Sequence, residues 1–195
     1  MSLAPATTTE TSASYSYNPD DPAPTRGGAG MLAFILPGFD GAAPANVWQE
    51  QLCERADILS FLAPVAVQPT TISGTIKVQL DVASSAADTA FSAKLVEVMA
   101  DGRAVNIRDS ITSLGIQNGK TKAYSSGSRT SIDIRFWPIE WQLQPGSRFR
   151  LDISSSDFPK FHAHPNRTEL RSLVESPVVA EQMVFGGLLA LPMSN

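Results

Sequence analysis

A single cysteine, Cys53, is all the thiol chemistry this chain has. One thiol cannot close an internal disulfide, so the fold must be held by its core. No histidine flanks Cys53 in sequence, and a buried structural thiol is its expected role. Cations are few and dispersed. Fifteen Lys and Arg against nineteen Asp and Glu give a net charge of −4, with no basic block. Phosphate backbones are bound by basic stripes, so the sequence predicts no nucleic-acid partner and no anionic membrane surface. No apolar run approaches the roughly 18 residues of a membrane span. The N-terminus, MSLAPATTTETSAS, lacks the basic-then-apolar order of a signal peptide. The sequence assigns no compartment.

Catalytic vocabulary is equally thin. A serine nucleophile on an α/β sheet sits in G-x-S-x-G, because the sharp strand–helix turn tolerates only small neighbours. That pentapeptide is absent; Gly115 and Gly119 have its spacing, but Gln117 stands where the serine would be. The two histidines, His162 and His164, are spaced i, i+2 and would share a face on a strand, as metal ligands can. Asp157 is the nearest carboxylate and a third ligand is lacking. Pro159 and Pro165 flank the pair, so loop histidines are the expected reading. No Ser or Cys is marked as a partner for general-base work. Asp20-Asp21 lies in a Pro-rich stretch, and Asp81, Asp88, Asp101, Asp109, Asp133 and Asp152 are scattered, as solvated faces and turns require. A calcium site from Asp81, Asp88 and neighbours is the alternative. Catalytic, cofactor-binding and metal residues are therefore assigned to none.

What is present is β pattern. Hydrophobic residues make up 43% and charged residues 17%, a globular composition. Residues 1–14 read as a chain end or linker, and 15–195 as one domain. Within it 15–30 form an entry arm, where Pro19, Pro22 and Pro24 impose extended backbone. Tyr15 and Tyr17 are placed to dock that arm onto a body. Met31–Leu36 is a short apolar run, and Val47–Arg55 is assigned a short helical turn. Asp57–Leu62 reads as a strand. Thr70–Ala83 alternates, with Ile72, Ile76, Val78, Leu80 and Val82 on one parity, which predicts a strand with one buried face.

Ala90–Met99 and Ala104–Ile111 flank Asp101-Gly102, a tight-turn dipeptide. Thr121–Tyr124, Ser131–Trp137, Arg148–Ser154, Val178–Phe185 and Leu188–Leu191 follow as strands, with one weak helical turn at Glu169–Val174. Eight to ten short strands without strand–helix alternation predict an all-β sandwich or barrel with at most minor short helices. Trp48, Trp137 and Trp141 are read as core or interdomain packing, with sugar stacking as the alternative.

The wording of several segments carries more. Tyr17-Asn-Pro-Asp-Asp-Pro-Ala-Pro-Thr-Arg-Gly-Gly28 resembles the entry segment Y-x-P-x-x-P-x-P-x-x-G-G of the C-terminal domain in the X-Pro dipeptidyl-peptidase family, to which cocaine esterase, α-amino acid ester hydrolases and glutaryl acylases are similar in architecture. Arg55-Ala-Asp57-Ile-Leu59 resembles its R-x-D-V-L strand. Ile72-Ser-Gly74 with Val78 to Ser85, Asp88 to Arg103 (near D-T-D-F-x-A-K-L-V-D-V-x-P-D-G-R) and Pro145 to Lys160 (near P-G-H-R-I-R-L-x-I-S-S-S-x-F-P-R) follow in the same order. Departures are Ala90 for the second Asp of D-T-D-F, Ser147 for His, Trp48 for Asp before Gln49, and Arg167-Thr168 without the Gly of N-P-N-T-G.

The resemblance implies a jelly-roll β-sandwich of galactose-binding-like type. It implies a non-catalytic accessory domain that packs on the α/β-hydrolase domain of the same polypeptide and helps shape its substrate cleft. The Ser–Asp–His triad of such a serine hydrolase would lie outside this chain. Met31, Leu32, Phe34, Ile35 and Trp48 are the candidate cleft or interdomain surface, with an ordinary core strand as the alternative for part of the run. A carbohydrate-binding module is the competing function, and a homo-oligomer is a further expected partner state.

Overall fold

The structure is a computed structural model that describes residues 12–29, 31, 35, 45–49, 55–169 and 176–193. Thirteen strands occur among the described residues: β1 (Ala13–Tyr17), β2 (Trp48–Gln49), β3 (Leu59–Leu62), β4 (Thr70–Gly74), β5 (Lys77–Ser84), β6 (Ala90–Val98), β7 (Ala104–Ser113), β8 (Ile116–Gln117), β9 (Lys120–Thr121), β10 (Thr130–Arg135), β11 (Ile139–Leu143), β12 (Arg148–Ser154) and β13 (Ala180–Ala190). They form a four-stranded sheet, β1-β13-β5-β10, and a five-stranded sheet, β2-β7-β6-β12-β3, with every neighbour antiparallel. The all-β sandwich is as the sequence predicts.

Period-two patterning places the core. Val78, Leu80 and Val82 of β5, Ile132 and Ile134 of β10, and Val184 and Leu189 of β13 face Phe91, Ala93 and Leu95 of β6, and Leu151 and Ile153 of β12, in one buried cluster. Each fully buried large side chain contributes about 1.5–3 kcal/mol relative to exposure.

The run Thr70–Ala83 is not one strand. Ile72, Ile76, Val78, Leu80 and Val82 are all buried as their shared parity requires, but the strand breaks after Gly74. Gly74 has φ +126°, which an L side chain rarely adopts, and its Cα faces Pro192. The break sends β4 to pair with β11 while β5 pairs with β10 and β13. Strand β11 itself carries Pro138 at its entrance, which hid it in the sequence. Conversely, Val178–Phe185 and Leu188–Leu191 are parts of one strand, β13, continuous through a register shift between Val184 and Gly186.

Other segments differ in detail. Trp48–Gln49 is a strand paired with Val105 and Ala104, so the helical turn at Val47–Arg55 is corrected there; residues 50–54 lie outside the described residues. Ile35 is helical and its N–H donates to the Met31 carbonyl at 3.2 Å, so the apolar run is not extended at that point. An unbroken apolar run has no period to separate strand from helix. Only Thr121 of Thr121–Tyr124 is in a strand; Tyr124 leaves it to hydrogen-bond both Ser84 N–H and Ser84 C=O through its hydroxyl. Cys53 and most of Glu169–Val174 lie outside the described residues.

Candidate interdomain surface

The Pro-rich arm is bonded along its length. Tyr15 and Tyr17 enter as β1 on the free edge of β13, both buried. The Tyr15 hydroxyl shares a 3.0 Å hydrogen bond with Ser155 Oγ, and burial pushes its ionisation well above the ordinary tyrosine range. Further along, Ala23 N–H donates to Ser156 Oγ at 2.8 Å and Thr25 N–H to the Phe158 carbonyl at 2.6 Å. Lys160 N–H returns a bond to Thr25 Oγ1 at 3.1 Å. Arg55 grips the arm from the other side: its guanidinium bonds both Asp57 oxygens at 2.8 and 2.9 Å and the Asp21 carbonyl at 2.8 Å. The similar segments Y-x-P…G-G, R-x-D and S-S-S-x-F-P are thus three parts of one contact.

Gly27 and Gly28 end the arm in left-handed backbone, φ +75° and +73°. Neither has space for a Cβ. One at Gly27 would lie 2.7 Å from the Ala45 carbonyl, and one at Gly28 2.9 Å from Asp109 Oδ2. This close approach lets Gly28 N–H donate to Ala45 C=O at 2.8 Å. Asn106 completes the joint. Its Oδ1 accepts from Val47 N–H at 2.7 Å and from Gln49 Nε2 at 3.2 Å, and its Nδ2 donates to Ala45 C=O at 3.2 Å.

Beneath the arm lies a charge cluster that no spacing in the sequence marks. Lys94 of β6 stands 3.8 Å from Asp157 Oδ1, Lys160 is paired to Asp109 of β7, and Arg150 holds Asp152 of β12 at 2.9 Å. Ser60 donates to Asp152 at 2.6 Å. Lys94, Asp109, Asp152 and Asp157 line a cavity of about 20 Å³, room for one water molecule. Neither Asp157 oxygen has a hydrogen-bond partner among the described residues. Burial pushes the Asp157 carboxyl up to about 6; Lys94 opposes the rise and the Asp109 charge adds to it. Cross-strand register explains the assembly: Lys94 lies opposite Asp109 on one side and Asp152 on the other.

The histidine segment is structural. Asn166, at φ 61° and buried, donates from its backbone to His164 Nδ1 at 3.1 Å. Its side chain accepts from Thr89 Oγ1 at 2.7 Å and donates to Val178 C=O at 2.6 Å. His164 Nε2 faces Asp88 Oδ2 at 3.5 Å, while His162 is exposed. Asp88 is already engaged by the N–H groups of Thr89 and Gly115, each at 2.8 Å, and Asp81 by Arg129 at 3.1 Å. No group of three candidate metal ligands occurs among the described residues.

Of the candidate surface residues, Met31 and Ile35 are 56% and 57% exposed and lie one helical turn apart. Trp48 is 50% exposed on β2, with the Arg103 guanidinium 4.7 Å from its ring centroid and Arg26 Nε donating to its carbonyl at 3.0 Å. Leu32 and Phe34 lie outside the described residues. Trp141 donates its indole N–H to Glu97 at 2.9 Å, and Trp137 is 79% exposed.

These contacts define an all-β sandwich with a bonded-down entry arm. The chain belongs to the family of the X-Pro dipeptidyl-peptidase C-terminal non-catalytic domain, whose model matches residues 2–187. Cocaine esterase of Rhodococcus sp. (strain MB1 Bresler) is 34% identical over 160 residues, which cover 81% of this chain and 27% of that protein. Two solved structures share the fold. An α-amino acid ester hydrolase aligns with TM-score 0.77 at 18% identity, over 94% of this chain and 32% of that one. An aminopeptidase from a marine sediment Thaumarchaeota archaeon aligns with TM-score 0.80 at 16% identity, over 96% and 34%. The chain therefore spans 27–34% of the length of these relatives.

Proposed function

We propose that this chain is the accessory β-sandwich of a serine hydrolase of the dipeptidyl-peptidase, esterase or acylase type. It packs on the α/β-hydrolase domain of the same polypeptide and walls part of its substrate cleft, contributing no catalytic residue. The observation that carries this reading is the non-catalytic family match over residues 2–187, in a chain whose alignment covers 27% of cocaine esterase. Residues 15–195 are the folded unit, with 15–30 as the arm that leads in from the hydrolase domain. Met31, Ile35 and Trp48, half-exposed and apolar beside the Gly27–Gly28 joint, support this end as the docking face, and Leu32 and Phe34 belong to the same proposed surface. The jelly-roll connectivity implied by the family is part of the same reading.

The test has two arms. The isolated chain is expected to hydrolyse neither p-nitrophenyl esters nor Xaa-Pro amides; turnover that maps to one of its own residues overturns the reading. The gene upstream is expected to encode an alternating α/β sequence with G-x-S-x-G, and its absence overturns the reading equally.

A further inference from the structure

A second concave site lies away from the arm. It is a trough of about 500 Å³ lined by Ser110–Ser113 of β7, Asp133 and Arg135 of β10, the Phe161–His164 loop, and the Ile116–Gly119 hairpin. Its position follows from topology. Strand β7 pairs with β6 along its length but with β2 only at Ala104 and Val105. Strand β10 pairs with β5 and ends its sheet. Two strand edges therefore meet here, tied where Ser110 Oγ donates to the Arg135 carbonyl at 2.7 Å.

The chemistry of the lining is specific. Ile132 and Ile134 are buried, so Asp133 and Arg135 share the opposite parity of β10, about 6.7 Å apart along the strand. One is an acceptor only and the other a donor only. Other opposite charges on nearby strands are matched, as in Asp81–Arg129 and Asp152–Arg150. Among the described residues, neither the Asp133 carboxylate nor the Arg135 guanidinium has an ion-pair partner, and the exposed His162 imidazole has no hydrogen bond. Ile116, 59% exposed, and Phe161 add apolar surface to the same trough.

We infer that this trough binds a neutral polyhydroxylated ligand of monosaccharide size. Its volume falls in the range of about 300–1,000 Å³ typical of small-molecule sites. One carboxylate and one guanidinium cancel, so neither a simple anion nor a simple cation is favoured. Sugar hydroxyls both donate and accept, and a pyranose is wide enough to meet Asp133 on one side and Arg135 on the other. Its C–H face then lies on Ile116 or Phe161.

The experiment follows the amide NMR spectrum of the 195-residue chain during titration with methyl galactopyranoside, glucopyranoside and mannopyranoside, with proline as a zwitterionic control. For at least one glycoside, shifts are expected at residues 110–113, 133–135 and 161–164, with a Kd on the order of 1 mM. Asp133→Asn and Arg135→Gln should each weaken that binding roughly tenfold, the loss of one charged hydrogen bond. Both side chains are on the surface, and an unchanged near-ultraviolet circular dichroism spectrum reports the intact fold. Silence with all three glycosides, shifts confined elsewhere, indifference to both substitutions, or binding of proline alone overturns the inference. It stands apart from the docking reading, which none of these outcomes touches.

Discussion

The buried carboxyl of Asp157 makes a quantitative demand on how stability responds to pH. Its ordinary value is 3.8 and burial beside Asp109 raises it to about 6 in the fold. An acid whose folded value is raised holds its proton longer in the native state than in the unfolded one. Between the two values the native state binds more protons, so stability falls as pH rises through that window and the loss is complete above about pH 6. The shift of about 2.2 units at 1.36 kcal/mol per unit sets the loss at about 3 kcal/mol. Asp157→Asn removes the titration and keeps the shape. It also deprives Lys94 of a counter-ion, a cost that sets the starting sign of the difference. Asp152 is held by Arg150 and Asp109 by Lys160 in both proteins.

The informative quantity is therefore the difference in unfolding free energy between variant and parent chain, measured by urea titration from about pH 4 to pH 8. It should grow by between about 2 and 3 kcal/mol in favour of the variant, whatever its starting sign. A flat difference, or one that shrinks with rising pH, would show that Asp157 is ionised throughout in the fold and that Lys94 outweighs burial.

Three further outcomes follow from single contacts. Asn166→Ala removes a side chain that bonds Thr89 and Val178 from a buried position; urea unfolding should register a loss of about 2–4 kcal/mol. Gly27→Ala forces a Cβ against the Ala45 carbonyl at φ +75°. It should lower stability by at least about 1–2 kcal/mol, with amide exchange rising first at residues 24–28 and 45–47. Trp48→Ala removes a half-buried ring and its Arg103 contact, so the isolated chain should lose about 0.5–1.5 kcal/mol. Its affinity for a separately expressed hydrolase domain of the same gene should fall at least tenfold by calorimetry. Unchanged affinity would remove Trp48 from the docking face.

Strand content was legible because one physical rule, alternation over a half-buried sheet, repeats along the chain. Ile132, Ile134, Leu151 and Ile153 are buried for the same reason they alternate with polar neighbours. Errors fell where backbone geometry overrides side-chain pattern. Gly74 sits within an uninterrupted parity and only its positive φ reveals that the chain changes partner. Gly186 has the opposite effect: glycines that read as a terminator instead sit at a bulge inside one strand. No strand is expected between Trp137 and Arg148, and β11 begins directly after Pro138. In these three places a glycine or proline has a role that depends on the partner strand, which one segment of sequence does not contain.

The candidate surface was harder to read for a related reason. Register across strands sets Lys94 between Asp109 and Asp152. Lys94, Asp109 and Asp152 come from three different strands, and Asp157 and Lys160 from a loop, so nothing in linear spacing predicts that they converge. The local signal was instead indirect: three of the segments resembling a known family bond to one another. Tyr17 to Gly28, Arg55 to Leu59 and Ser154 to Lys160 each contribute partners to the seam under the arm. A seam of buried hydrogen bonds and paired charges tolerates few substitutions, because removing one member leaves another buried and unpaired. That cost ties these three segments to one another. It also separates two kinds of residue within the arm. Thr25 and Gly28 fix the arm to its own sandwich, while Met31, Ile35 and Trp48 keep half or more of their surface exposed, the surface that the proposed docking would cover.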